Sequence, residues 1–275
     1  MSDYNLVLSA GAINREYWRD IWKFRELMYV LAWRDVAIRY KQTIIGIAWV
    51  LLQPVLTMLV FTFIFSKIAK LPTEGETPYA LMVYSGILPW QLFSGSLLGA
   101  SGSLVANANL ISKVYFPRMI IPFSSMVVSL IDFLVSLVIL LGLMVWYRFV
   151  PDWKILTLPL FVAMAILASI GPGLLIAALN IKYRDFRYVI PFVTQFGLYL
   201  SPIGFSSKLV PEKWQIIYAL NPMVGVIDGF RWAILTDVGA FPWMSVVIGA
   251  SVVLVLMFEG VRRFRATERG FADLI

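Results

Sequence analysis

Polar and apolar residues are segregated along this chain into long blocks, and the block lengths predict helices that cross a bilayer. A hydrocarbon layer of about 30 Å takes roughly 20 helical residues. Six apolar runs reach or approach that length: Ile44–Ser66, Tyr79–Leu104, Met119–Tyr147, Ile155–Asn180, Tyr188–Gly204 and Phe241–Gly260. The fifth is the shortest. An even number of crossings puts both ends of the chain on one side, and the basic residues choose the side. Sixteen of the 23 Lys and Arg fall before the first run, after the second, after the fourth and after the sixth, which predicts cytoplasmic termini.

Shorter patterns fill the gaps. Tyr17, Ile21, Phe24, Met28 and Leu31 step by three and four while Arg15, Arg19 and Lys23 step by four on another face. That spacing predicts an amphipathic helix in the inner headgroup layer, with Trp18, Trp22 and Trp33 suited to the interface. Residues 211–220 and 223–235 are two apolar pieces too short to span, split by Asn221-Pro222. They read as a re-entrant helical hairpin on the outer side. The fold class expected is therefore an all-α integral membrane protein with six transmembrane helices, an N-terminal amphipathic interface helix and an extracytoplasmic re-entrant hairpin before the last span. Residues 1–43 form a cytoplasmic N-terminal segment, 44–260 the transmembrane domain and 261–275 a cytoplasmic tail. Gln53-Pro54, Leu88-Pro89, Gly171-Pro172-Gly173 and Ser201-Pro202 are candidate breakers. Gly95, Gly99 and Gly102 make a close-approach face on the second run.

Composition supports the bilayer reading. The chain is 60% hydrophobic and 14% charged, with a mean hydropathy of +0.81, against about 45–50% apolar in soluble domains. A net charge of +7 could suggest nucleic acid, but the basic residues lie scattered through short loops instead of forming one patch. With no histidine and no cysteine, imidazole bases, thiolate nucleophiles and disulfides are excluded. The opening MSDYNLVLSAG lacks a basic n-region and an apolar core, so no cleaved signal is expected.

The polar stretch Asn107–Arg118 interrupts two of the longest apolar runs. With Asn109 as N-cap, Leu110, Ile111, Val114 and Tyr115 on one face and Pro117 ending the helix at Phe116, it predicts a short amphipathic rod over 109–116 facing the cytoplasm. It is either an ordinary interfacial connector or a docking element for a cytoplasmic partner. No phosphate-binding Gly-x-x-x-x-Gly-Lys-Ser/Thr occurs, so this chain is not expected to hydrolyse nucleotide by itself. Asp132 stands alone near the middle of the third run, where a carboxylate costs at least about 2.5–3.5 kcal/mol unless it finds water or a partner. It is a functional candidate or a bond acceptor for a neighbouring helix. Glu259, one turn from Arg262 and Arg263, reads as a structural pair. Phe192, Phe196 and Tyr199 share one face of the fifth run, and Phe61 and Phe65 do the same in the first. Such stripes pack or meet lipid, or they line a path along which sugar C–H faces slide on rings.

As a set, several blocks resemble the membrane subunits of type-2 ABC exporters that move polysaccharides: Trp33–Pro54 (WRDVAIRYKQTIIGIAWVLLQP), Leu110–Arg118 (LISKVYFPR), Asn180–Asp185 (NIKYRD), Asn221–Arg231 (NPMVGVIDGFR) and the tail Phe264–Ile275. The resemblance covers nearly the whole chain from about Arg15. It implies a permease without catalytic, metal or cofactor residues of its own, working as two copies with two separate nucleotide-binding subunits that hold ATP and Mg. It further implies that Asn109, Leu110, Ile111, Ser112, Lys113, Val114, Tyr115 and Phe116 form the coupling helix, flanked by Pro117 and Arg118. Lys182, Arg184 and Asp185 would make a second ATPase contact, and residues 211–235 would form an external gate. The cargo implied is an undecaprenyl-pyrophosphate-linked glycan such as O-antigen, or a teichoic or capsular polymer, in the bacterial inner membrane. Arg34, Arg39 and Lys41 suit its pyrophosphate. The rival classes are a membrane-embedded glycan- or lipid-modifying enzyme and a gated channel.

Overall fold

The computed structural model describes residues 15–41, 44–75, 77–183, 185–236 and 239–271, and among these residues it is helical, without strands. In chain order the helices are α1 (Arg15–Lys23), α2 (Arg25–Lys41), α3 (Ile44–Phe61, continued by a π-helical stretch Thr62–Ile68), α4 (Tyr79–Ala106), α5 (Ala108–Lys113), α6 (Ile120–Trp146), α7 (Leu158–Lys182), α8 (Phe186–Leu200), α9 (Glu212–Ala219), α10 (Pro222–Ile234) and α11 (Trp243–Thr267).

Five segments are long and apolar enough to cross a membrane: Ala48–Ile68, Tyr79–Ala106, Ile120–Trp146, Trp153–Lys182 and Trp243–Thr267. The second is the least apolar of the five and the most buried. The reason is its position: α4 is the axis of the bundle, with Tyr79 to Trp90 buried without interruption against α6, α7 and α10. Helices at the periphery, α3 and α11 among them, carry their apolar side chains outward, as lipid contact requires.

The expected fifth crossing, 188–204, takes a different form. α8 has 15 residues, about 22 Å of helix and short of a hydrocarbon layer. Ser201 is extended ahead of Pro202 and ends the helix there. Nevertheless the chain between Asn180 and Gly204 runs the length of the bundle. The Asn180 amide donates to the Ser101 carbonyl near one end of α4, 2.7 Å away, and the Tyr79 hydroxyl donates to the Gly204 carbonyl at the other end. Those two α4 residues are about 33 Å apart along the helix. Of the other expected breakers, Pro54, Pro89 and Pro172 lie inside continuous helices.

Small residues set the closest helix contacts. A Cβ on Gly260 would overlap the backbone of Gly171, and one on Gly171 would overlap that of Leu256, so α7 and α11 touch backbone to backbone. Gly95 and Gly99 lie against Ser129 and Ser125 of α6 as their spacing predicted, whereas Gly102 has no neighbour. The hairpin residues form α9, which is largely exposed, and α10, which is almost wholly buried against α4, α7 and α11. Its turn is capped by the Asn221 side chain accepting from the Met223 amide, and Pro222 there lies against Gly249 of α11.

Candidate functional site

The α5 end of the bundle is an apolar hub with a polar rim. Ile111, Phe116, Ile120, Leu174, Phe264 and Phe271 are buried together there with Leu31 of α2. Tyr17, Ile21, Phe24 and Met28, the apolar stripe read from the N-terminal sequence, pack onto this hub, while Trp18, Trp22 and Trp33 remain exposed.

The rod expected over 109–116 is shorter and begins earlier. α5 covers Ala108–Lys113, and Asn107 rather than Asn109 stands at its start without a side-chain cap. The Asn107 amide is committed elsewhere, donating to the Ser103 carbonyl at 2.9 Å and accepting from Arg34 Nη2 at 2.8 Å. The helix ends at Lys113 because β-branched Val114 is extended and the residue ahead of Pro117 is itself pushed out of helix. The sides separate cleanly: Ile111, Phe116 and Pro117 are buried, Leu110 and Arg118 are half-buried, and Asn109, Ser112, Lys113, Val114 and Tyr115 are exposed.

Arg118 does not belong to that outward surface. Its backbone N–H donates to Glu268 Oε1 at 2.8 Å, and its guanidinium donates to the Glu268 carbonyl. The Tyr17 hydroxyl donates to the same carboxylate at 3.0 Å, and Arg265 stacks on the Tyr17 ring, 3.5 Å from its centroid. Burial, and then the Glu268 charge, raise the Tyr17 phenol above its ordinary pKa, so it stays protonated as a donor. The first and last described helices therefore meet beside α5, at one end of the bundle. Lys182 and Asp185 are exposed, and Arg184 lies outside the described residues. Because Asn180 is bonded to Ser101, their loop sits at this same end.

Asp132 is not alone. Arg39 Nη2 lies 2.6 Å from its Oδ2, and the Tyr40 hydroxyl donates to its Oδ1. Of the three cations expected at a substrate head, Arg39 is thus paired with a mid-span carboxylate. Arg34 is bound to Asp35 and Asn107, and Lys41 is exposed. The sequence offered no sign of this geometry, since α2 reaches α6 only in three dimensions. Glu259 bonds Arg262 and Arg263 at 2.9 and 3.3 Å as expected.

The aromatic stripes divide. Phe192 and Phe196 stack in parallel at 6.1 Å and, with Tyr199, lie exposed on α8. Phe61 is buried and stacks behind Tyr199 at 5.9 Å, and Phe65 packs on Phe61 at 5.4 Å. Gly197, on the inner face of α8, allows the approach of the Trp90 ring.

At the far end sits a polar knot that sequence reasoning missed. Arg231 of α10 is fully buried, donates to the carbonyls of Ile203, Phe205 and Met82 at 2.8, 2.9 and 3.3 Å, and lies 3.5 Å from the buried Glu74 carboxylate. Asp228, one turn away, is buried too. The signal was available as an acid and a base at i and i+3 inside an otherwise apolar helix.

Similarity places this architecture. A relative named O-antigen export system permease protein RfbA from Klebsiella pneumoniae is 25% identical over 251 residues, 91% of this chain and 95% of the relative. The protein of the same name from Myxococcus xanthus is 26% identical over 262 residues, 94% of this chain and 98% of the relative. The capsule polysaccharide export inner-membrane protein CtrC of Neisseria meningitidis serogroup A is 24% identical over 249 residues, covering 87% and 91%. The family described as ABC-2 type transporter matches residues 26–235, from the start of α2 to the end of α10. The chain belongs to the ABC-2 type transporter family.

Proposed function

We propose that this chain is the membrane permease of an ATP-driven exporter that carries lipid-linked polysaccharide, O-antigen on an undecaprenyl-pyrophosphate carrier, across the bacterial inner membrane. The observation that carries the reading is the two-sided α5 segment. Ile111 and Phe116 lock it into the hub that also binds α1 and the end of α11, while Asn109, Ser112, Lys113 and Tyr115 face outward. A push on the outward side is transmitted to every helix that meets the hub. The partner doing the pushing is a separate ATPase subunit, which holds ATP and Mg, with the 182–185 loop as its second contact.

Several features support the finer reading. The meeting of Tyr17 with Glu268 calls for an even number of passes, so α8 with the turn at 201–204 serves as the sixth. The basic residues put that shared end in the cytoplasm. The hairpin α9–α10 then lies on the outer side as a gate element. A second copy of the chain covers the exposed α8 face to enclose the path, and Phe192, Phe196 and Tyr199 border it. The likeness to a capsule exporter favours a second reading in which the cargo is a capsular or teichoic polymer. The rival enzyme class gains nothing from Asp132, whose carboxylate is taken up by Arg39 and Tyr40.

The test is co-expression with a P-loop ATPase from the same genome, copurification, and measurement of surface polysaccharide. The K113E/Y115A double variant is expected to insert normally and to lose ATP-coupled export; unchanged export removes the coupling assignment. Export by the isolated chain without an ATPase removes the whole reading.

A further inference from the structure

Between α2, α3, α4 and α6 the bundle holds a cleft of ≈ 530 Å³, within the range of about 300–1,000 Å³ of small-molecule sites. Its position is unusual for its chemistry. Ser125, Ser129, Asp132 and Ser136 line it from one face of α6, at i, i+4, i+7 and i+11, around the middle of that span. Gln91 and Ser94 of α4 and Gln53 of α3 face them. Ser125 and Ser94 donate to the Pro122 and Gln91 carbonyls one turn back, at 2.8 and 3.4 Å, which leaves their oxygens as acceptors toward the cleft, where apolar substitutes would pack more easily. A structural bolt between α2 and α6 needs only Arg39, Tyr40 and Asp132; it does not need three further polar helix faces.

The charges lining the cleft decide among ligands. Two carboxylates, Asp35 and Asp132, stand against one guanidinium, Arg39, which already contacts Asp132 at 2.6 Å. Arg34, outside the lining, lies 2.7 Å from Asp35. With each carboxylate paired to one guanidinium, the cleft is close to neutral, and with both cations already engaged it offers no pair of cations to hold a pyrophosphate. It suits a neutral molecule rich in hydroxyls, which both donates to carboxylate and amide oxygens and accepts from amide N–H and guanidinium groups. Walls from Leu92, Leu98 and Phe133 provide apolar contact for C–H faces.

We propose that this cleft is a binding site for an uncharged, hydroxyl-bearing sugar unit of the exported chain, an inference that rests on the polysaccharide reading above. The α2 residues Asp35, Ile38 and Arg39 form part of its wall, so the N-terminal helix contacts the sugar and not the phosphate of a lipid-linked glycan.

The chain has no cysteine, so single cysteines report cleanly. In the assembled, ATPase-containing transporter, S129C and S94C are treated with a charged methanethiosulfonate reagent. One arm adds the neutral oligosaccharide freed by mild acid from the source strain's own surface polymer; the other adds sodium pyrophosphate. Both cysteines are expected to react, and oligosaccharide at twice its Kd slows modification about threefold, with no effect of pyrophosphate. Unreactive cysteines, protection by pyrophosphate alone, or no protection by either ligand overturns the proposal. Surface polysaccharide measured on the same variants separates the two claims. Export intact with unprotected cysteines removes the cleft assignment alone, whereas wild-type transporter that moves no polysaccharide removes the functional reading and the cleft with it.

Discussion

Replacing Arg231 tests whether the far end of the bundle is held by its polar knot. The R231M variant keeps an apolar stem of similar length in α10 but deletes the donors to the Ile203, Phe205 and Met82 carbonyls and strands the Glu74 carboxylate. Arg231 has no exposed surface and the Glu74 side chain is 6% exposed, so neither water nor salt compensates. Summing three charge-assisted bonds at about 1.5–3 kcal/mol each would overstate the loss, since these bonds share one desolvated cation. Breaking one partner out of a buried ion pair, at about 3–5 kcal/mol, is the better guide. At about 2–4 °C per kcal/mol for a chain near this size, the apparent Tm of the purified transporter falls by about 6–20 °C. Adding E74Q to R231M removes the stranded charge and restores part of the loss, which distinguishes an unpaired carboxylate from a merely disturbed helix. A thermal-shift measurement in one detergent suffices. An R231M midpoint within about 2 °C of the parent, less than a single kcal/mol, refutes the assignment of the knot as a structural anchor.

Two other expectations can be checked with the same preparations. Because a Cβ at position 260 meets the Gly171 backbone while one at Gly142 meets nothing, G260A lowers stability by about 1–3 kcal/mol and G142A does not lower it, both read as midpoint shifts. F196A and Y199A slow polysaccharide export more than F258A on the outward face of α11, whose ring is also exposed; equal slowing would mean that the α8 stripe meets lipid only.

Block lengths revealed the long helices because crossing length is a property of the chain alone. Five of the six apolar runs became spans, four of them with both ends within a few residues of the sequence reading, and the first, third and sixth owe their legibility to lipid-facing side chains. α4 was readable for its length and not for its role. Being least apolar, it gave no hint that it is the axis of the bundle. α8 was harder, since the helix stops at Leu200 ahead of Pro202 and the chain beyond it continues through turns rather than helix. The α5 segment was located by its polarity, but its start was misread: Asn107 and Asn109 are equally good caps in sequence, and Asn107 stands at the start with its side chain held by a local bond to Ser103 and a tertiary one to Arg34. The resemblance set Arg118 beside Lys113 at the end of the coupling helix, although Glu268, 150 residues away, bonds it. Partners so distant in sequence leave no periodic trace.

The distribution of these contacts bears on which helices move. At the far end, Arg231 ties α10 to α4 and to the 201–205 segment, and near the other end Glu268 ties α1 and the start of α6 to the tail. α4, α7 and α11 are joined along their lengths, in places at backbone contact. Among the described residues, α3 and α8 have no comparable ties. Their outward faces carry Trp49, Leu56, Phe63, Tyr188, Phe192 and Phe196, which lipid or a second copy covers equally well in the absence of a hydrophobic driving force between helices. Displacing them breaks few intrachain bonds, whereas displacing α7 from α11 forfeits close packing over the whole contact. Under the proposed function, a path wide enough for a sugar polymer would open at least energetic cost by parting α3 and α8 from their lipid or subunit neighbours, with the α4–α7–α11 body as the fixed frame. α2 lies where this frame and α3 meet, with Arg39 on Asp132 of α6 and the cleft beside it. The Arg34–Asn107 bond, 2.8 Å long, joins α2 to the start of α5, so under the proposed function a load applied at α5 is one hydrogen bond from the wall of the cleft.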